Sequence, residues 1–125
     1  MLAEAAPSVL VVEDDRAINA LIGAYVEFCG LRPRPVYDGQ SAVDAAQQFR
    51  PDAVVLDLML PDIDGFEVCR RLRADAATAN TPIVILSAMG SDADKQRTRE
   101  CGANDHLTKP FDPDRFIEVL KGYTA

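Results

Sequence analysis

The stretch Ala53-Val54-Val55-Leu56-Asp57-Leu58-Met59-Leu60-Pro61-Asp62-Ile63-Asp64-Gly65 decides the fold. Its first four residues are a continuous apolar run that reads as a strand, and Asp57 closes that run with a carboxylate. Pro61 to Gly65 is turn chemistry, after which Phe66, Val68, Cys69 and Leu72 begin a helical pattern. Strand, turn and amphipathic helix in that order form one unit of an α/β architecture.

The same unit recurs on both sides. Val9 to Val12 is a strand, followed by a helix whose Ile18, Leu21, Ile22, Tyr25, Val26 and Cys29 share one face at a 3.6-residue period, with Gly30 as its stop. Arg34-Pro35-Val36-Tyr37 reads as a short strand, and Pro33 and Pro35 restrict it to a sheet edge because proline cannot donate to a ladder. Asp38-Gly39 precedes a second helix carrying Ala42, Val43, Ala45, Ala46 and Phe49, punctuated by Pro51. Downstream, the third helix fades into an Ala/Asp/Asn/Thr-rich loop from Ala74 to Thr81, and Pro82 opens the strand Ile83 to Leu86. A fourth helix from about Ser91 to Cys101 leaves only Ala93 and Cys101 to face a core. Gly102 ends it, a short strand follows around His106-Leu107, and Asp112 caps a last helix bearing Phe116, Ile117, Val119, Leu120 and Tyr123. Five such units predict an α/β doubly wound sandwich, a parallel sheet with helices on both faces.

A chain of 125 residues that is 48% hydrophobic is one ordinary globular domain, expected over residues 8–123 behind a flexible N-terminal segment, residues 1–7. Its net charge of −7 argues against nucleic acid as the domain's own direct partner, which needs a basic stripe. The apolar runs fall far short of the ~20 residues that span a bilayer, and Met1 to Pro7 lacks the regions of a signal peptide, so a cytoplasmic protein without membrane contact is expected. Cys29, Cys69 and Cys101 show no metal-ligand or CxxC spacing and read as reduced thiols.

In an open parallel sheet the strand C-termini share one edge, so residues distant in sequence converge there. That edge collects Glu13, Asp14 and Asp15 after the first strand, Asp57 after the third, Ser87 after the fourth and Lys109 after the fifth. Singly, each has a plain reading: the first acids cap a helix, Asp57 is a polar strand end, and Ser87, Thr108 and Lys109 are uninformative. Jointly they form a site. Crowded carboxylates raise one another's pKa unless a cation neutralises them, and an all-oxygen cluster suits Mg²⁺ rather than zinc. A divalent ion, a lysine and a hydroxyl around one carboxylate are equipped to stabilise phosphoryl oxygens during in-line transfer, with Asp57 as nucleophile.

Four segments carry a resemblance: Val9-Leu10-Val11-Val12-Glu13-Asp14-Asp15, Val54 to Gly65, Val84-Ile85-Leu86-Ser87-Ala88, and Gly102 to Phe111. From about Ser8 to Tyr123 the chain resembles a receiver domain of the two-component response regulator family. The resemblance implies a flavodoxin-like (βα)5 fold with strand order 2-1-3-4-5. It implies that Asp57 accepts a phosphoryl group from a histidine kinase or histidine phosphotransfer protein. Asp14, Asp57 and the carbonyl of Met59 would hold Mg²⁺, with Glu13 acting through a coordinated water and Asp15 outside the set. Ser87 and Lys109 would contact phosphoryl oxygens, with a cis Lys109-Pro110 bond. The output face would be the fourth helix, fifth strand and fifth helix. The chain departs from the family pattern at His106, where Tyr or Phe is usual, so that residue is either an exposed imidazole on an edge strand or a polar switch ring. Met59 and Met89 flank the path of hydrolytic water in the family, and their apolar side chains imply slow self-dephosphorylation. Charges at Lys95, Arg97, Glu100, Asp105 and Arg115 are available to a weak homodimer, an analogy weakened by Asn104, where an acid is common.

Three rivals remain at this level. A flavin or nucleotide binder shares the architecture but needs a Gly/Ser/Thr-rich phosphate loop where Glu13-Asp14-Asp15-Arg16 stands. An aspartyl phosphatase usually has a second acid two residues after the first, where Met59 stands, so turnover of exogenous substrates is not expected. A pseudo-receiver would keep the fold without being phosphorylated, against which the intact Asp14, Asp57, Ser87 and Lys109 set speaks.

Overall fold

In the computed structural model, which describes residues 6–124, the run Ala53–Leu56 is the central strand of a five-stranded parallel sheet. In chain order the elements are β1 (Ser8–Val12), α1 (Arg16–Phe28), β2 (Arg32–Val36), α2 (Gly39–Phe49), β3 (Ala53–Leu56), α3 (Gly65–Ala74), β4 (Ile83–Ser87), α4 (Asp92–Glu100), β5 (Asp105–Thr108) and α5 (Pro113–Thr124). The strand order is β2-β1-β3-β4-β5, the flavodoxin-like order that the resemblance implied. Residues 1–5 of the expected N-terminal segment lie outside the described residues. The carbonyl of Pro7 already accepts a hydrogen bond from Arg32 N at 2.8 Å.

Alternate residues of the central strands feed two separate cores. Leu10, Val12, Val54, Leu56, Ile83 and Ile85 pack against Ala42, Val43 and Ala46 of α2 and Val68, Cys69 and Leu72 of α3. Val9, Val11, Val55, Val84 and Leu86 pack on the other face against Ile22 and Val26 of α1 and Phe116, Val119 and Leu120 of α5. Each such side chain, fully buried, contributes about 1.5–3 kcal/mol, so the continuous Val/Ile/Leu runs are explained by strands covered on both sides.

Local chemistry sets the helix ends. Asp15, Asp38, Asp64 and Ser91 cap α1, α2, α3 and α4, each side chain accepting from the backbone N–H three residues on. Asp112 does the same work for α5, its carbonyl accepting from Phe116 N at 3.0 Å and its side chain from Asp114 N at 3.1 Å. Gly30 and Gly102 stop their helices with φ of 78° and 97°, which only glycine adopts without strain.

Three expectations change. The edge strand β2 begins at Arg32, not Arg34, because Pro33 and Pro35 both fit its register opposite Val9 and Val11. Leu21 is 49% exposed, because α1 is turned to bury Asn19, Ile22, Gly23 and Val26, with Gly23 lying over Pro33. In α4, Ala93 is exposed, Cys101 is half-buried, and the buried side chain is Thr98, whose hydroxyl finds a partner on β5.

The turn after β3 is tied down by Asp62, whose carboxylate accepts from Gly39 N at 2.7 Å and Gln40 N at 2.9 Å at the start of α2. Those donors, Gln40 first and then Gly39, pull the Asp62 carboxyl down to about 2, from an ordinary value of about 3.9. On acidification the unfolded chain therefore takes up this proton first. The stabilisation is complete above about pH 4 and is lost as pH falls through about 2. Urea unfolding of Asp62→Asn should show a lower midpoint than wild type at pH 7, and the gap should close as pH is lowered from 4 toward 2.

Candidate functional site

Parallel register brings the acids together. Val12 pairs with Leu56, so Glu13 and Asp57 leave the sheet side by side, with Asp57 N donating to Val12 O at 3.0 Å. Carboxylate oxygens of Glu13, Asp14 and Asp57 lie within 4.8 Å of one another. Glu13 and Asp57 are buried, at 2% and 7% exposure, whereas Asp14 faces solvent. Asp15 stands outside the cluster as the cap of α1, where its carboxylate accepts from Ile18 N at 3.0 Å.

Lys109 reaches the same place from the far end of β5. Its ammonium donates to Glu13 Oε1 and, at 3.2 Å, to Asp57 Oδ2. Burial lifts the Glu13 carboxyl above its usual range, against the opposing pull of Lys109. Burial pulls Lys109 down, but Glu13 and Asp57 together outweigh it and hold the ammonium above its ordinary value. Lys109 N donates to Ser87 O at 2.8 Å, joining the ends of β4 and β5, and the Lys109-Pro110 bond is cis.

Three hard-oxygen carboxylates against one ammonium leave an excess of negative charge in a partly dry pocket. That donor set fits a small divalent cation such as Mg²⁺ and lacks the soft or imidazole ligands that zinc favours. Asp57 Oδ1 also accepts from Met59 N at 3.1 Å, which fixes the carboxylate on its own turn, while the Met59 side chain is 61% exposed. Ser87 is fully buried, and its Oγ accepts from Met89 N at 3.2 Å. The hydroxyl proton is left to donate elsewhere.

His106 does not lie out in solvent. Its half-buried ring bridges two segments, with Nε2 2.7 Å from Met89 O and Nδ1 2.9 Å from Thr98 Oγ1. A carbonyl only accepts, so Nε2 carries a hydrogen, and in the neutral ring Nδ1 accepts from the Thr98 hydroxyl. The exposed-imidazole reading is thereby set aside. His106 links β5, α4 and the loop that follows Ser87.

The roles of several supporting residues were not evident from the sequence pattern. The buried amide of Asn19 donates to Val11 O, Glu13 O and Val36 O at 3.0–3.1 Å, gathering the ends of β1 and β2 under α1. A polar residue on an apolar helix face was the available clue. Gly65 belongs to the turn motif, but its need is spatial: a Cβ there would sit 2.5 Å from Asp57 O and 2.6 Å from Leu58 Cα. Arg73 holds the loop after α3, donating to Thr81 O at 2.7 Å, Thr78 O at 3.2 Å and Gly102 O at 2.8 Å. Among the described residues no helix is long and apolar enough to cross a membrane.

Known proteins share this arrangement. RpaA of Synechocystis, named a DNA-binding dual master transcriptional regulator, is 42% identical over 115 residues, covering 92% of this chain and 48% of its own length. The response regulator MprA of Mycolicibacterium vanbaalenii is 42% identical over 113 residues, covering 90% of this chain and 48% of its own. The chain thus spans about half the length of these curated relatives. Among solved structures, the receiver domain of Francisella response regulator 1452 superposes with a TM-score of 0.88 at 34% identity, over 94% of this chain and 96% of that one. The receiver domain of the sensor histidine kinase PA1611 from Pseudomonas aeruginosa, solved with a magnesium ion coordinated in its active site cleft, gives 0.88 at 32% identity, over 96% and 98%. The pattern defining the response regulator receiver domain matches residues 9–121, and with it this chain belongs to the receiver domain family of two-component response regulators.

Proposed function

We propose that residues 8–123 are a phosphoacceptor switch, in which Asp57 takes a phosphoryl group from a phosphohistidine of a histidine kinase or histidine phosphotransfer protein. The observation that carries this reading is the convergence of Glu13, Asp14, Asp57 and Lys109 from three strand ends on one point. Asp14, Asp57 and the carbonyl of Met59 would hold Mg²⁺, with Glu13 acting through a bound water. The ion supplies positive charge that lets the carboxylates share the pocket and offsets charge on the transferring phosphoryl oxygens.

In the transfer, an Asp57 carboxylate oxygen attacks phosphorus, the P–N bond breaks, and the imidazole leaves with the bonding pair. Lys109 shifts from its carboxylate partners toward a phosphoryl oxygen, and Ser87 donates its unused hydroxyl proton to another. The acyl phosphate adds about −1.5 to −2 charge, so these contacts are gained in the phosphorylated state alone and supply the driving force of the switch. Ser87 and His106 both bond to the Met89 backbone. A pull on Ser87 therefore reaches His106, Thr98 and α4, making the α4-β5-α5 face the output surface and His106 its switch ring. The domain acts once on itself and turns over no exogenous substrate.

A cytoplasmic location is part of this reading. The −7 charge keeps nucleic acid off the domain's own surface. DNA contact of the kind named for RpaA would come from a separate output domain. A homodimer through α4-β5-α5 would be weak, since Arg97 is stacked on Phe66 at 4.0 Å and Asp105 accepts from Tyr123 OH at 3.4 Å within the chain. Asn104 is likewise engaged, by Ile83 N at 2.8 Å and Arg73 at 2.9 Å.

Incubation with acetyl phosphate and Mg²⁺ should add one phosphoryl group by intact mass, lost in Asp57→Asn and on chelation. An unmodified wild type defeats the proposal in favour of a pseudo-receiver. Replacing the two apolar residues beside the acceptor, Met59→Asn with Met89→Glu, should shorten the phosphoryl lifetime, because each then offers a group that orients water. Hydrogen exchange with and without a phosphoryl mimic should differ most across residues 91–101, and equal protection there would sink the output assignment.

A further inference from the structure

Cys69 and Cys101 are 32 residues apart in the chain, yet the fold sets them against each other where α3 meets the end of α4. Cys69 is fully buried on the inner face of α3. Cys101 is half-buried at the C-terminal cap of α4 and lines an open cavity of about 480 Å³ with Arg70, Arg73 and Arg97 and with Asp64, Glu67 and Glu100. The Cys69 thiol donates to Cys101 O at 3.2 Å, and the Cys101 thiol donates to Thr98 O at 3.1 Å. Both thiols are free. Nothing in the phosphoacceptor chemistry uses them.

The two sulfurs have unlike surroundings. Contact with Cys69, then the backbone N–H groups of Ala103 and Cys101 and the charge of Arg73, outweigh burial and pull the Cys101 thiol down to about 7. The same contact and burial push Cys69 well above the ordinary thiol range. A half-buried cysteine that opens onto a cavity beside a fully buried partner is the arrangement in which one sulfur is attacked by an oxidant and the other resolves the product.

We propose that Cys69 and Cys101 form a reversible disulfide, driven by a small peroxide entering through the α3–α4 cavity, that ties α3 to the end of α4. The Cys101 thiolate attacks one peroxide oxygen, the S–O bond forms as the O–O bond breaks, and hydroxide leaves. The Cys69 sulfur then attacks the Cys101 sulfur, the S–O bond breaks, and the departing hydroxyl takes the Cys69 proton as water. Two thiols have lost two hydrogens and the peroxide has been reduced. In a reducing compartment such a bond is transient, as redox-sensing disulfides are. Its consequence for output, which alone rests on the phosphoacceptor reading, is that α4 becomes covalently held three residues from Thr98, its buried anchor.

The test uses the full reduced chain treated with a small excess of hydrogen peroxide, followed by intact mass and non-reducing peptide mapping. The expected result is loss of two hydrogens, a peptide linking residues 69 and 101, and full reversal by dithiothreitol. Cys29→Ser should behave as wild type, and Cys101→Ser should form no internal disulfide. The proposal is overturned if Cys101 accumulates sulfinic or sulfonic acid without the bond, if every disulfide found runs through Cys29, or if the thiols survive unchanged. Acetyl phosphate labelling of Asp57 on the same samples separates failure of this bond from failure of the phosphoacceptor reading.

Discussion

Three carboxylates that repel one another are held at the ends of β1 and β3 by the backbone, and much of the molecule serves that confinement. At 4.8 Å, two like charges cost roughly 3–4 kcal/mol at an effective dielectric of about 20. The parallel register fixes Glu13 beside Asp57, Asn19 clamps the β1 end, and the missing side chain at Gly65 lets α3 start against the Asp57 peptide. Lys109 offsets part of the repulsion, and the remainder is an attraction for a cation. The pocket is thus poised rather than relaxed, with a half-buried ammonium 3.2 Å from an Asp57 carboxylate oxygen.

The surroundings of this rigid corner are unequal in strength. α1, α2, α3 and α5 each bury several side chains in one of the two cores, so displacing any of them costs several kcal/mol. α4 buries Thr98 and is held by hydrogen bonds, through His106 to β5 and to the loop after β4. Hydrogen bonds exchange with water at a net cost of about 0.5–1.5 kcal/mol each. A helix fastened in this way can be repositioned within the 1–3 kcal/mol that a coupling between sites typically provides. Among the five helices, α4 is therefore the one held mainly by hydrogen bonds.

Much of this was legible in the residues, and the exceptions have causes. β3 has the bounds its apolar run announced, and Gly30 and Gly102 end their helices as expected, because these features depend on neighbours in sequence. The convergence of Glu13, Asp14, Asp57 and Lys109 followed from strand ends sharing an edge, although the strand order itself came from family resemblance and not from spacing. Leu21 was misplaced because a helix period defines a face but not its rotation about the axis, which Gly23 and Pro33 settle in three dimensions. The anchor of α4 was missed because Thr98 is buried by a partner eight residues away on another element. The Cys69–Cys101 contact was invisible for the same reason, since no local spacing encodes which turn of α3 meets the cap of α4.

The two prolines of β2 carry a consequence for how copies of this chain meet. Arg32 N points inward to Pro7 O, and strand geometry alternates, so the backbone nitrogens of Pro33 and Pro35 lie on the outward side, where neither has a proton to give. That rim of the sheet offers acceptors without matching donors and cannot template a further strand, a common defence against fibre growth. Among the described residues the other rim of the sheet is β5, the flank that α4 adjoins. Pairing between copies through strand edges is therefore left to the β5 side, while the prolines close the β2 side to it.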